Sequence, residues 1–324
     1  MKLLWVGYFR DTRDGDRCDE QRMARALERA GVDVARCDAP WDDAERTLAA
    51  FSPDWVLFSK CKEFTRHRLE RMRAAAPGIP FGQLLFDLMD HSDRVLPGLS
   101  WPMRSRLSWW LPLAPHFDLV FMRERGHFDR YAKLGVRCVY LDQACDQEEQ
   151  PVDHATERCD VAFFGNYYPS RGQALRALSE RHDVRVHSIY PSPWKRAGFQ
   201  VHPAVFGTAF AEAVASARIV YGESVTHDVE GYWSDRIYRV LGRRGFFLTR
   251  YTPGLEKSFR NHEHLVWYER EDELPSLAAR YLADAAERRR IAESGFRHVR
   301  SHHTYDDRAR EMLEILRSAG HRPR

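Results

Sequence analysis

Short apolar runs recur along the chain, with polar or amphipathic segments between them. In the first half these runs are KLLWVGY, DVARCD, PDWVLFSK, PFGQLLFD, FDLVFMRE and VRCVYLDQ. A helical pattern such as DEQRMARALERAG ends at Gly31, which is a typical C-terminal glycine cap. Buried strands that alternate with helices predict a parallel, doubly wound α/β sheet.

The pattern starts again after a polar, acidic stretch, DQEEQPVDHATER. The runs that follow are DVAFFGN, DVRVHSIY, RIVYGES, GFFLTR and HLVWYER, with helical patterns at 170–181, 234–243, 271–298 and 304–318. We therefore expect two Rossmann-like domains, 1–145 and 159–300, joined by a linker at 146–158. Residues 301–324 are expected to form a C-terminal helix.

Composition and charge describe a globular protein and narrow its partners. Of 324 residues 44% are hydrophobic, enough for two cores, and 50 Lys and Arg nearly balance 47 Asp and Glu. This balance gives no ground for a nucleic-acid partner. The six cysteines show no zinc-site spacing, which indicates a reduced, cytoplasmic chain. The sequence shows neither a signal peptide nor an apolar run that would span a bilayer.

Ligands of open parallel sheets bind outside the carboxyl ends of the strands. The loops expected there are 7–16, 87–94, 165–171, 190–195, 223–232 and 252–256. The dinucleotide fingerprint G-x-G-x-x-G is absent from the first strand turn, where GYFRDTRDG stands. A classical NAD site is therefore disfavoured.

Four stretches carry a family resemblance across roughly residues 140–315. They are LDQACDQEEQPV, DVAFFGNYYPSRGQAL, SDRIYRVLGRRGFFLTRYTPGLEKSF and ADAAERRRIAESGFRHVRSHHTYDDRAREML. In this order they resemble the CgeB-like (spore-maturation) glycosyltransferases, relatives of the family 4 enzymes. The resemblance implies the GT-B fold, with two Rossmann-like domains facing across a cleft and the closing helix packed on the first. It also implies sugar transfer from a nucleotide diphosphate, with retained configuration and without a metal or other cofactor.

The chemistry of this reaction selects candidate donor-binding residues. A departing nucleotide diphosphate carries negative charge, which helix N-termini and arginines stabilise without a metal. The candidates are Gly165 and Asn166 with Arg171 in the next helix, Ser234 as an N-cap with Arg236 just inside, and the loop of Thr252, Pro253 and Gly254. Glu256 joins them because it stands in a matching stretch. The donor is expected to be linked to UDP, GDP or dTDP.

One position departs from the family pattern. Family 4 enzymes carry a spaced pair of glutamates, the second of which contacts the donor ribose. Aligning LGRRG with the corresponding turn places Arg239 at the second glutamate and Gly231 at the first. Glu230, adjacent to Gly231, is our candidate substitute for the first. The second has no replacement, which leaves the identity of the donor open.

The first domain offers candidates for the acceptor side. FDLMDHSDR places Asp90 and His91 after a strand, where one of them could act as a catalytic base. The alternative is a helix cap beside a solvated histidine. GYFRDTRDGDR places Gly7, Arg10 and Asp11 in the first strand turn, as acceptor-side residues or as ordinary surface. We expect no metal site.

Several alternatives stay open at this point. SWPMRSRLSWWLPLAPH, residues 100–116, is either a helix with tryptophans packed on the sheet or a weak membrane-surface contact. The histidines of RSHHTYDDR fit a helix junction better than a metal site. The acceptor is a glycan, protein, lipid or small molecule. Rival functions are a nucleotide-sugar epimerase or hydrolase on the same fold, and a non-catalytic nucleotide- or sugar-binding protein.

Overall fold

The computed structural model describes residues 1–9, 19–39, 41–59, 64–89, 109–152 and 156–320. The chain divides into two compact units, 1–143 with 305–324, and 144–304. We had placed the domain boundaries at 145 and 301 and a separate linker at 146–158. In the structure the described part of that linker belongs to the second unit.

The first unit is built on a six-stranded parallel sheet in the order β2-β1-β3-β4-β5-β6. Its strands are β1 Lys2–Gly7, β2 Asp33–Asp38, β3 Trp55–Phe58, β4 Phe81–Leu85, β5 Leu119–Met122 and β6 Cys138–Tyr140. Its helices are α1 Asp19–Arg29, α2 Ala44–Phe51, α3 Arg66–Ala75 and α4 Phe128–Lys133, with short 3-10 helices at Ala114–His116 and Arg125–His127. Strands β3, β4 and β5 are buried along their whole length, which explains their unbroken apolar runs.

The second unit repeats the design with the strand order β12-β11-β10-β7-β8-β9, again all parallel. Its strands are β7 Cys159–Phe164, β8 Val184–Ser188, β9 Val201–Pro203, β10 Ala217–Gly222, β11 Phe247–Arg250 and β12 Val266–Tyr268. Its helices are α5 Pro169–Ser179, α6 Pro191–Arg196, α7 Gly207–Ala215, α8 Arg236–Leu241, α9 Leu274–Ala283 and α10 Ala285–His302, with 3-10 helices at Leu255–Lys257 and Glu271–Glu273. Strand β10 lies between β7 and β11, so loops from distant parts of the sequence meet beside its carboxyl end.

The last helix, α11 Tyr305–Gly320, belongs to the first unit and packs on α1. The Tyr305 hydroxyl donates to Asp19 Oδ1 at 2.6 Å, and Arg29 pairs with Asp306 at 2.7 Å. The end of the chain therefore completes the unit that the beginning of the chain starts.

Some elements differ from the sequence-based prediction. Strand β9 and helix α6 are absent from the sequence-based prediction. Strand β9, Val201–Pro203, has one hydrophobic residue, a histidine and a proline, so no apolar run marks it. Helix α6 has six residues, two of which are proline, and shows no helical period. The single helix expected over 271–298 is two helices. Asp284 separates them, and its carboxylate caps α10 by accepting the Glu287 N–H at 2.9 Å. None of the helices in the described part of the chain is long and apolar enough to cross a membrane.

Helix α10 approaches the main chain of the preceding loop at Gly295. A Cβ atom at this position would lie 2.1 Å from the His264 carbonyl oxygen and 2.9 Å from Leu241 Cδ2. Gly295→Ala should therefore destabilise the protein by about 1–3 kcal/mol, although alanine favours a helix by about 1 kcal/mol. Urea unfolding measures the change.

The neighbouring substitution Ser294→Ala, on the same helix, is the control and should have a much smaller effect. A Gly295→Ala variant as stable as the wild type would show that α10 does not pack this closely.

Candidate functional site

Two arginines meet at the carboxyl ends of β7 and β10 in the second unit. Arg171 lies in the first turn of α5, and Arg236 is the first residue of α8. Both donate to the carbonyl oxygen of Glu223, Arg171 through Nε at 3.1 Å and Nη2 at 2.7 Å, Arg236 through Nη2 at 2.7 Å. Arg171 also donates to the Asn166 carbonyl at 2.9 Å, and Arg236 to the Phe164 carbonyl at 3.0 Å. Main-chain oxygens at the strand ends thus fix both guanidinium groups.

Main-chain oxygens, rather than carboxylates, bind the two guanidinium groups. Within the described residues, neither guanidinium forms an ion pair with a carboxylate, and their hydrogen bonds go to main-chain oxygens. Burial and the nearby charge of Arg236 lower the pKa of Arg171 to about 9, and the Glu223 carboxyl group opposes this only in part. Burial also lowers the pKa of Arg236, which Asp235 opposes. Because two like charges lie together without a direct ion pair, an anion would stabilise the pair.

Gly165 provides the space that Arg236 occupies. Its φ of +153° is a conformation that side chains rarely adopt, and a Cβ atom would lie 2.7 Å from Arg236 Nη1. Its carbonyl oxygen accepts the Trp194 indole N–H at 3.0 Å, which holds the turn after β7. Glycine at this position therefore serves the placement of the arginine.

The loops after β10 and β11 are joined to each other. His227 Nδ1 lies 2.9 Å from Thr252 Oγ1, and the Gly231 N–H donates to the Pro253 carbonyl at 3.0 Å. The Thr252 side chain is buried. These contacts hold the two predicted donor loops together at the edge of the sheet that carries the arginine pair.

The two predicted glutamates of these loops both have partners. The Glu230 carboxylate forms an ion pair with the Lys257 ammonium group at 2.7 Å, and both side chains are exposed. Glu256 Oε2 accepts the Gly254 N–H at 3.1 Å and the Tyr251 hydroxyl at 2.8 Å. Gly254 has a φ of +92°, so the turn requires a left-handed residue. The structure therefore gives Glu256 a role in shaping this turn, and a donor contact for either glutamate stays a prediction.

The hydroxyl group of Ser234 lies at the start of α8. The helix spans Arg236–Leu241, and Asp235 before it already has helical φ and ψ of −54° and −24° and makes no side-chain cap. Ser234 Oγ accepts the Arg236 N–H, two residues further on, at 3.3 Å and donates to Asp235 Oδ1 at 3.3 Å. The first of these is the hydrogen bond of an N-cap residue, and a donor contact for Ser234 stays a prediction.

Arg239, at the position that departs from the family pattern, lies on α8 between an acid and an aromatic ring. It pairs with Asp235 at 3.5 Å, and its guanidinium lies 5.1 Å from the centre of the Phe210 ring. Among the described residues it therefore forms an ion pair with a carboxylate, whereas Arg171 and Arg236 do not.

The predictions for the first unit are only partly covered by the structure. Asp90, His91, Arg10 and Asp11 lie outside the described residues. Gly7 ends β1, where a Cβ atom would lie 2.9 Å from Ser59 Oγ. In the tryptophan-rich segment, Trp110 is buried in the first core, and its indole N–H donates to Gln83 Oε1 at 2.7 Å. For this residue the packing interpretation holds.

The contribution of Glu223 was not recognised from the sequence. Its loop, 223–232, was nominated as a ligand loop, but the residue itself was not singled out. The atom that organises the two arginines is its main-chain oxygen, and any residue type has one. The sequence therefore contains no signal for this contact.

A group of histidines attaches the loop after β11 to α10. His298 Nε2 lies 2.7 Å from the Ser258 carbonyl oxygen and 3.2 Å from His303 Nε2, and the His264 ring stacks on His298 at 3.9 Å. No set of three or more His, Cys, Asp or Glu side chains in the described ranges is placed to hold a metal ion. This group therefore fits the predicted helix junction.

The histidine group makes stability depend on pH. Burial and the charge of His298 lower the pKa of His264 to about 4 from an ordinary 6.5. Between pH 4 and pH 6.5 this histidine binds more protons in the unfolded chain than in the folded chain. The contribution of His264 to the free energy of unfolding is therefore complete above pH 6.5 and is lost as the pH falls towards 4. His264→Gln should reduce the acid-induced loss of stability by roughly 2–3 kcal/mol, measured by urea unfolding at pH 7.5 and pH 4.5.

The exposed His67, on α3 of the first unit, provides the control His67→Gln, which should keep the wild-type pH dependence. Equal losses in the wild type and His264→Gln would contradict the assignment to His264.

Comparison with known proteins places this geometry in context. Residues 171–314 match a family model described as glycosyl transferase-like. No curated protein sequence matches the chain significantly. Among solved structures, HepE of Anabaena in complex with UDP and glucose is 13% identical, with a TM-score of 0.67 over 98% of this chain and 100% of HepE.

Two further structures agree over nearly the whole length of both chains. Sucrose-phosphate synthase from Thermosynechococcus elongatus is 10% identical, with a TM-score of 0.71 over 98% of each chain. A glycosyltransferase from Rickettsia africae is 9% identical, with a TM-score of 0.66 over 99% of each chain. These likenesses show the GT-B fold. The family match, which covers most of the second unit and the first ten residues of α11, supports glycosyltransferase activity, and the structural likenesses show the fold.

Proposed function

We propose that the enzyme transfers a sugar from a nucleotide-diphosphate donor, with a UDP-sugar as the first candidate, to an acceptor that is still unidentified. The observation that carries the proposal is the pair of the buried Arg171 and the partly buried Arg236, neither of which forms an ion pair with a carboxylate among the described residues. A diphosphate bound there would form direct ion pairs with both guanidinium groups. HepE, a structural neighbour, was solved with UDP, and this supports uridine as the first base to test.

The same arginines suit the chemical step. When the bond between sugar and diphosphate breaks, negative charge grows on the departing diphosphate. Guanidinium groups that are already oriented by main-chain oxygens stabilise this charge without reorganising. We therefore propose a metal-independent reaction, in which Arg171 and Arg236 contact the diphosphate.

The loops around the arginine pair complete the proposed donor site. Gly165 and Asn166 form the turn after β7 and keep the approach to Arg236 open. The turn at Thr252, Pro253 and Gly254 is held next to the loop after β10, where a sugar ring could contact main-chain atoms. Both loops follow strands at the carboxyl edge, the usual ligand edge of such sheets.

The remaining parts of the proposal depend on the sequence resemblance. These are membership of the CgeB-like branch and retention of the anomeric configuration. Asp90 or His91 as an acceptor-side base rests on residue type and on position after a strand. A cytoplasmic location, the absence of a nucleic-acid partner and a surface contact with membranes stay predictions.

The arginine assignment predicts a specific loss of nucleotide affinity. Arg236→Ala and Arg171→Lys should each weaken the binding of UDP and UDP-glucose about 10- to 100-fold, because charge-assisted hydrogen bonds to phosphate are lost or misaligned. Isothermal titration calorimetry with UDP, GDP and dTDP measures the effect and identifies the base.

A matched control is Arg176→Ala. Arg176 lies on α5, as Arg171 does, and its guanidinium donates to the main-chain oxygen of Ala197 at 2.7 Å. It is remote from the arginine pair. This variant should bind UDP like the wild type. Unchanged UDP affinity in both Arg236→Ala and Arg171→Lys would overturn the diphosphate assignment.

Product analysis separates the rival functions. Incubation with UDP-glucose and a panel of glycan, lipid, peptide and small-molecule acceptors should give a glycosylated product. Free sugar as the sole product would favour a hydrolase, and an altered nucleotide sugar an epimerase. Tight nucleotide binding without turnover would favour a binding protein.

A further inference from the structure

Glu223 connects the separate loops of the proposed donor site. Its carbonyl oxygen accepts three N–H groups, two from Arg171 and one from Arg236. These arginines come from α5 and α8, which follow different strands. The orientation of both guanidinium groups therefore depends on where a single peptide oxygen lies.

The side chain of Glu223 is held by a chain of hydroxyl groups. The carboxyl group is buried, and its Oε2 accepts the Tyr221 hydroxyl at 3.0 Å. The Tyr221 hydroxyl lies 2.8 Å from the hydroxyl of Tyr268, which ends β12. Since β11 lies between β10 and β12, this chain of side chains crosses over a strand. These contacts link Glu223, after β10, to Tyr268 at the end of β12.

The other contacts of the carboxyl group reach the neighbouring loops. Ser170, beside Arg171 in α5, lines the same cavity as this carboxyl group. The Glu223 Oε1 atom lies 3.7 Å from His227 Nε2, and the opposite ring nitrogen of His227 lies 2.9 Å from Thr252 Oγ1. The Glu223 side chain thus lies beside α5 and reaches the loop after β11 through His227.

The carboxyl group of Glu223 lies at a small cavity. It lines a cavity of about 90 Å³ together with Ser170, Arg250 and Tyr268. Burial raises the pKa of Glu223, and the charge of Arg171 opposes this rise. A carboxyl group with these neighbours is costly to bury unless its hydrogen bonds are made, so its position is closely defined.

We propose that Glu223 is a positioning residue of the donor site: its side chain, held by Tyr221 and Tyr268, places the peptide oxygen that aligns Arg171 and Arg236 with the diphosphate. This inference deepens the proposed function and rests on it. Small displacements of charged groups around a reacting bond have large effects on the reaction rate. Such groups therefore need supporting contacts that fix their position.

The experiment compares ligands with and without phosphate. Tyr268→Phe removes one hydroxyl from the chain and keeps the ring, and should weaken UDP binding roughly 3- to 10-fold. Glu223→Ala should weaken it by about 10-fold or more, while Glu223→Gln, whose amide oxygen accepts the Tyr221 hydroxyl, should recover most of the affinity. Uridine, measured by saturation-transfer NMR, should bind all variants like the wild type.

The control is Tyr281→Phe, another buried tyrosine of the second unit, which loses a contact of 2.6 Å with His262 outside the site. It should leave the affinities for UDP and uridine unchanged. Equal losses of UDP and uridine affinity in Tyr268→Phe and Glu223→Ala would show a merely structural role and overturn the proposal, as would unchanged UDP affinity in both.

The wild-type protein distinguishes failure of this inference from failure of the proposed function. If the wild type binds UDP, the UDP affinities of the variants test the role of Glu223 alone. If it binds inorganic pyrophosphate but none of UDP, GDP and dTDP, the nucleotide assignment fails, and the same variants decide on Glu223 with pyrophosphate as the probe. If it binds neither pyrophosphate nor a nucleotide, both proposals fall.

Discussion

Two positive charges, one buried and one partly buried, that share one peptide oxygen set the main constraint on the second unit. Arg171 and Arg236 are held by carbonyl groups at the ends of β7 and β10, where like charges repel each other. Such an arrangement is stable only if the hydrogen bonds to the main chain are well formed. The rest of the site follows from this need: a glycine that leaves room for Arg236, and a glutamate whose main chain both arginines use.

The topology of the sheet explains how these groups come together. In the order β12-β11-β10-β7-β8-β9, the strands β7, β10 and β11 are neighbours although long segments separate them in the chain. Their carboxyl ends lie at one edge because all the strands are parallel. Helices α5 and α8 begin beside that edge and bring in Arg171 and Arg236. An anion site on such an edge is compatible with a donor that carries a diphosphate.

The loop after β11 shows a second means of holding a site in place. The turn at Gly254 is closed by Glu256, and its end at Ser258 is attached to His298 of α10. Helix α10 in turn packs against the main chain of His264 at Gly295. Contacts remote from the arginine pair therefore limit the movement of one of its neighbouring loops, which links the packing of the core to the geometry of the site.

Much of the fold and part of the candidate site could be predicted from the amino-acid sequence. Apolar runs mark eleven of the twelve strands in the described residues, because a buried parallel strand requires apolar side chains on both faces. The exception, β9, has the sequence VHP and no apolar run. Arg171, Arg236 and Gly165 were found because residue type and position after a strand both indicated phosphate chemistry.

Other features depended on three-dimensional contacts alone. The role of Glu223 depends on a main-chain oxygen and on hydroxyl groups from two strands, which no residue pattern records. By itself the sequence determined the two parallel sheets and the chemical types available at their edges, because burial and charge are properties of side chains. Only the tertiary structure decided which of these groups share a partner, because hydrogen bonds depend on distances of a few ångströms between residues far apart in the chain.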